Sequence, residues 1–351
     1  MNSMKKNKRW LAVGTALLTL TLAACATSEE DAAPKDSSTE VAENEASENY
    51  PITIPHALGE TVIEQKPERV ATIAWANHDI ALALGVAPVG FSAANYGVEE
   101  GKTILPWTEE KLKELGVDSP NVYQDTDGLD FEAIADSNPD VILAAYSGLT
   151  QEEYDTLTQI APVIAYQETP WVTSWRDQVK FNSMAMGMEA EGEQLIADTE
   201  KLIQDKANEY SDIQGKKAAF AMFTVTDLSK FYVYTPADPR GEFLVDLGMP
   251  YPESLQTLAT DEESFYLELS AEHADALADV ELFIAYGDDS TLAALQADPI
   301  LGQVPAIKAG NVAIIEDNTP LAAAGNPNPL SIEYTIDDYL TIVSDVAKNV
   351  K

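Results

Sequence analysis

The sequence predicts an α/β protein of two lobes, each a mostly parallel sheet with helices, joined by a single long α-helix. Three observations carry this. From residue 52 to about 173, short apolar runs alternate with helical patterns. Strands alternating with helices build βα units and parallel pairing. The same alternation resumes at Lys216. Between the two regions, residues 174–210 lack proline and space Val179, Met186, Leu195, Ile196, Leu202 and Ile203 as a helix would.

The chain opens on Lys5, Lys6, Lys8 and Arg9, followed by an apolar segment over 10–24. That segment is too short for a stable membrane span and has the size of a signal-peptide core. It ends in Leu22-Ala23-Ala24-Cys25, which resembles the lipobox of exported lipoproteins. Cys25 is the only cysteine of the chain, so it cannot staple a domain, and an acyl anchor gives its placement a purpose. A lipoprotein signal peptide is therefore expected over 1–24. Residues 25–49 hold no aromatic side chain and read as a lipid-anchored, disordered acidic linker. A coil of that length reaches roughly 25–30 Å.

The N-terminal α/β lobe is expected over 50–173. Its strands are read at 69–74, 88–92, 141–145 and 163–166. Helices are read at 79–84, closed by Gly85, at 130–137 with Asp130 as cap, and at 151–160. The connecting helix is expected over 174–211. Roughly 30 residues of continuous helix measure about 45 Å, a strut rather than a lobe element. Gly187 and Gly192 weaken it locally. The C-terminal α/β lobe is expected over 212–351, with strands at 217–225, 231–234, 281–285 and 312–315. Its helices are read at 241–247, 270–277 and 331–346.

The chain of 351 residues carries 59 acidic and 21 basic side chains, a net charge of −38. Losing the four basic residues of the leader deepens it by four. Such a surface repels phosphate backbones and excludes nucleic acid as a partner. Outside the leader the only arginines are Arg69, Arg176 and Arg240, too few for a site built around a strongly anionic ligand.

Four stretches, in order, resemble a known family. The first is Glu68-Arg69-Val70-Ala71-Thr72-Ile73, followed by Asp79-Ile80-Ala81-Leu82-Ala83-Leu84-Gly85-Val86-Ala87-Pro88-Val89-Gly90. The second is Phe131-Glu132-Ala133-Ile134-Ala135, leading into Asn138-Pro139-Asp140-Val141-Ile142-Leu143. The third is Ser174-Trp175-Arg176 and the last is Pro329-Leu330-Ser331. From about residue 52 to the C-terminus the chain resembles the siderophore-binding lipoproteins of ATP-driven iron importers. The resemblance implies two Rossmann-like lobes joined by one rigid helix, as in class III substrate-binding proteins. It implies a monomer that takes a ferric siderophore between its lobes and delivers it to a permease with a cytoplasmic ATPase. It also implies one docking glutamate on each lobe, which fall here on Glu132 and Glu272.

Several residues suit a chelate-binding cleft. Pro170-Trp171-Val172-Thr173-Ser174-Trp175-Arg176 places two tryptophans four apart with an arginine beside the second. Trp171 and Trp175 offer apolar walls and Arg176 a rigid donor fork. Arg240 and Tyr234 flank a loop at a strand end, where ligands of open α/β sheets gather. Trp75, Asn77 and His78 follow the first strand, and Tyr146 ends the 141–145 strand. With few arginines and several aromatics, a neutral or cationic ferric chelate of hydroxamate type is expected, with no resident cofactor or metal.

Other ligands on the same fold stay open at this point. Haem would take His78 or a tyrosine as axial ligand, and cobalamin or another iron chelate is a further possibility. Bare zinc or manganese calls for clustered His and carboxylates, whereas His56, His78 and His273 lie far apart. An enzyme is disfavoured, since no Gly-x-Ser-x-Gly elbow, HExxH or glycine-rich phosphate loop occurs. A surface adhesion module would not need the aromatic cleft or the strut.

Overall fold

The structure is a computed structural model that describes residues 50–125, 127–259 and 264–350. The leader, Cys25 and the linker expected over 25–49 lie outside the described residues.

A hairpin of β1 (Ile52–His56) and β2 (Gly59–Ile63) precedes the first lobe. The lobe's sheet comprises β3 (Val70–Thr72), β4 (Gly90–Ser92), β5 (Val122–Tyr123), β6 (Val141–Leu143) and β7 (Val163–Ile164). They run all parallel in the order β5-β4-β3-β6-β7. Val141, Ile142 and Leu143 are fully buried, as expected of a strand covered by helices on both faces. Asp130 caps the helix Phe131–Asp136, its Oδ1 accepting from Ala133 N at 2.9 Å. Thr150 and Glu153 form a capping box that starts Gln151–Leu157.

The second lobe holds β8 (Ala218–Phe223), β9 (Lys230–Tyr234), β10 (Tyr266–Ser270), β11 (Leu282–Gly287) and β12 (Val312–Glu316) in the order β10-β9-β8-β11-β12. β8, β11 and β12 are parallel, whereas β9 runs antiparallel to both β8 and β10. The few residues between β8 and β9 cannot make the crossover that parallel pairing requires, so the two strands fold as a hairpin.

The single long connecting helix is corrected. Two helices, Trp175–Ala185 and Glu189–Asn208, occupy the region, separated by a corner at Met186-Gly187-Met188. Gly187 sits at φ +64°, a left-handed conformation that ends the first helix. The helices run back along each other, with Gly192 against Ser183. A Cβ on Gly192 would lie 2.1 Å from Ser183 Oγ. The two glycines that weaken the helical pattern are thus what folds it over. The longer helix, 20 residues, measures about 30 Å.

The waist is packed solid. One apolar cluster joins Ile80 of the first lobe, Trp175 and Val179 of the connection, Phe220 and Ile284 of the second sheet, and Ile336 and Leu340 of the closing helix Pro329–Ala347. The last segment also touches the first lobe. Ala323, Ala324 and Leu330 pack with Leu82, Phe91 and Trp107, so the chain returns to the first lobe before ending.

Candidate functional site

Two cavities of about 820 and about 530 Å³ lie between the lobes. They share Trp75, Asn95, Arg240 and Asn326, so they are halves of one cleft. β3 and the segment after it supply Ala74 and Trp75 to the floor. The ends of β8, β9 and β11 supply Met222, Tyr234 and Tyr286 from the opposite side. This is where ligands of open α/β sheets sit, beyond the ends of the strands.

The structure brings five of the expected residues to this cleft: Trp75, Tyr146, Trp171, Tyr234 and Arg240. Trp171 is 38% exposed and left-handed at φ +63°, a strained conformation of the kind that concentrates at ligand sites. Its indole lies against Gly148, where a Cβ would come within 2.4 Å of Nε1. Tyr146 meets Trp171 edge-on, ring centroids 5.3 Å apart, and donates to Asn326 Oδ1 at 3.3 Å. Trp75 is flanked by Ala74 at φ +59° and Ala76 at φ +62°. Three left-handed non-glycine residues therefore lie in or beside the cleft floor.

Arg240 belongs to the helix Pro239–Asp246, which Asp238 caps. Its guanidinium lies over the Tyr234 ring at 3.8 Å. Nε and Nη2 reach Asp238 Oδ1 and Oδ2, both at 2.7 Å. Asp238 is buried, and its charge holds the Arg240 pKa up against desolvation. In the other half of the cleft, Asp125 accepts a short hydrogen bond from Ser92 Oγ. Burial raises the Asp125 carboxyl above the ordinary carboxylate range.

Three expected contacts are corrected. Trp175 is 0% exposed and donates through Nε1 to Asp246 at 3.2 Å, because it fills the waist core. Arg176 grips Asp246 through Nη1 and Nη2 at 2.9 and 3.0 Å, and bonds Glu200 at 2.7 Å. It braces the two connecting helices against the second lobe and lines neither half of the cleft. The i, i+4 spacing does not hold because Trp171 precedes the helix start at Ser174. His78 is buried behind the floor, stacked on Phe91 at 4.8 Å and 3.4 Å from Asp79. Desolvation lowers its pKa. It lines a crevice of about 10 Å³ and neither half of the cleft, so it is not placed as an axial ligand there. Glu132 and Glu272 are exposed in the first turns of Phe131–Asp136 and Ala271–Leu277.

Sequence reasoning missed Asn95, Tyr96, Tyr286 and Asn326, which all line the cleft. They come from loops and strand ends with no spacing signal. Asn77 was legible only as a neighbour of Trp75. It is fully buried, and its Nδ2 donates to Ile73 O, Trp75 O and Tyr146 O at 2.8, 3.2 and 2.9 Å. Its Oδ1 accepts from Tyr146 N and Asn182 Nδ2. One amide thus fixes the backbone of two cleft residues. Among the described residues, no group of three or more His, Cys, Asp or Glu is placed to hold a metal ion.

Residues 70–319 match the family model of the periplasmic binding protein. The chain belongs to the periplasmic binding protein family. Within the family it is similar to Streptococcus pneumoniae TIGR4 PiaA, whose crystal structure in complex with ferrichrome superposes with a TM-score of 0.83 at 55% identity. That match covers 86% of this chain and all of the other. The probable siderophore-binding lipoprotein YfiY of Bacillus subtilis is 26% identical, over 87% of this chain and 92% of its own. The iron(3+)-hydroxamate-binding protein YxeB of the same organism is 26% identical, over 89% of each. The two Bacillus subtilis relatives are named for binding, not for catalysis.

Proposed function

We propose that the protein is an extracytoplasmic binding lipoprotein that captures a ferric siderophore of hydroxamate type and delivers it to the permease of an ATP-driven importer. The observation that carries this reading is the aromatic-walled cleft spanning both lobes, with its one charge-compensated arginine. Trp75, Trp171, Tyr146, Tyr234 and Tyr286 supply flat apolar area. Arg240 and Asn326 supply polar groups for the oxygen-rich rim of a metal chelate. Relatives named for siderophore, hydroxamate and ferrichrome binding support the ligand class.

Capture proceeds with small closure, because the waist core and its hydrogen bonds hold the lobes together. Glu132 and Glu272 then enter basic sockets on the two permease halves. Exposed carboxylates in the first turns of short helical segments give orientation and on-rate more than affinity. Cys25 carries the acyl anchor and residues 25–49 form the tether. Among the described residues no helix is long and apolar enough to cross a membrane. The protein acts as a monomer.

Titration of tryptophan fluorescence with ferric hydroxamate, catecholate and citrate tests the reading. Saturable quenching by the hydroxamate at or below about 1 μM is expected, weakened at least about tenfold by Trp171→Ala or Arg240→Ala. Absence of quenching by every ferric chelate would sink it.

A further inference from the structure

We propose that Asp238 sets the charge of the chelate that the cleft accepts. The inference rests on the reading above, that the cleft holds a ferric chelate, and adds the residue that selects among chelates.

Among the described residues, Arg240 is the one cation lining either half of the cleft. It does not meet the cleft as a bare charge. Two of its nitrogens are spent on the two oxygens of Asp238, both at 2.7 Å, and Tyr234 covers one face of the guanidinium. What remains for a ligand is an N–H edge whose formal charge is already cancelled. The acidic side chains on the walls are five carboxyl groups, Asp125, Glu153, Asp288, Glu316 and Asp317, and the tyrosines beside them are neutral at ordinary pH. A ferric trihydroxamate is neutral, because three monoanionic groups cancel the metal. A ferric tris-catecholate is trianionic. A compensated arginine among carboxylates tolerates the first and repels the second.

Helix capping alone does not require a carboxylate here. The cap needs one acceptor, and Asp238 Oδ1 provides it to Arg240 N at 2.8 Å; Asn or Ser caps as well. The Oδ2 bond to Nη2 is surplus to that task, and only a carboxylate offers two acceptors in that bidentate geometry. The second oxygen therefore serves the guanidinium, and through it the cleft.

The test is Asp238→Asn in the full chain, titrated with ferrichrome and ferric enterobactin as neutral and anionic probes at low and high salt. Asn keeps the cap and removes the charge. The ratio of the two affinities is expected to shift about tenfold or more toward ferric enterobactin, and the shift to shrink as salt is raised. A merely structural role would move both affinities together, and an unchanged ratio overturns the proposal while leaving the binding function standing. Wild-type protein that binds neither probe overturns the chelate reading itself, and this inference with it. Should circular dichroism show Asp238→Asn unfolded, Asp238→Ser retains a capping oxygen and reads the same ratio.

Discussion

Asn328 donates through Nδ2 to Asp79 Oδ2 at 2.9 Å, fastening the start of the closing helix to the first helix of the N-terminal lobe. Asp79 is buried, and Trp107 Nε1 and Thr108 Oγ1 also donate to it at 2.8 and 2.6 Å. A second tie lies at the cleft wall, Tyr96 Oη to Asp317 Oδ1 at 2.6 Å. Gly97 N donates beside it to Asn318 Oδ1 at 2.9 Å. The covalent connection between the lobes is reinforced by polar bonds formed across the gap.

Asn328→Ala removes both the donor to Asp79 and the cap whose Oδ1 accepts from Leu330 N and Ser331 N. The variant is expected to lose about 2–4 kcal/mol of stability, from a buried carboxylate short of a partner and a lost cap. Urea unfolding measures it, and a loss below about 0.5 kcal/mol would show that the tie contributes little.

Glu242 sits in the cluster around Arg176, 3.2 Å from Nη1. Burial, then the Asp246 charge, push its carboxyl from 4.5 up to about 7 against the pull of Arg176. An acid raised in this way binds more protons folded than unfolded. Its contribution to stability is present at low pH and is lost as pH rises from about 4.5 to about 7. Glu242→Gln is expected to exceed wild type by about 1–2 kcal/mol at pH 8, with the gain fading toward pH 4.5. A pH-independent difference would place the raised group elsewhere.

Ala74 and Ala76 hold left-handed backbone on either side of Trp75. Glycine relieves that strain, so Ala74→Gly and Ala76→Gly are expected to keep stability or raise it by up to about 1 kcal/mol. Affinity for a ferric hydroxamate is expected to fall severalfold as Trp75 gains freedom. Parallel melting and titration check both, and a variant that loses stability and keeps affinity would count against strain as the means of fixing Trp75.

Glu132→Ala combined with Glu272→Ala is expected to abolish uptake by cells while leaving chelate binding in solution intact. Transport of radiolabelled iron separates the two. Undiminished uptake would remove these glutamates from docking.

The α/β class and eight of the twelve described strands were legible because buried strands such as Val141-Ile142-Leu143 are continuous apolar runs, whereas the short or edge strands β1, β2, β5 and β10 were not read. The hairpin pairing of β9 and the corner at Gly187 were less legible, since each depends on where the chain goes next. The cleft was read in part. Trp75, Tyr146, Tyr234 and Arg240 follow from strand ends, whereas Asn95, Tyr96 and Asn326 arrive from loops whose position only the folded chain defines. Trp175 is the same residue type as Trp171 and only four positions away in sequence. Three residues of chain put Trp171 on the rim, while the helix beginning at Trp175 turned the next tryptophan into the waist.

The apolar cluster that takes in Ile80, Trp175, Phe220, Ile284 and Leu340 belongs to neither half alone. Severing the gene near residue 211 would therefore yield two fragments each with an open greasy wound, prone to precipitate rather than refold. Calorimetry of the intact chain should show one cooperative endotherm, its van't Hoff and calorimetric enthalpies equal. Two well-separated melting events would mean the halves are thermodynamically independent after all.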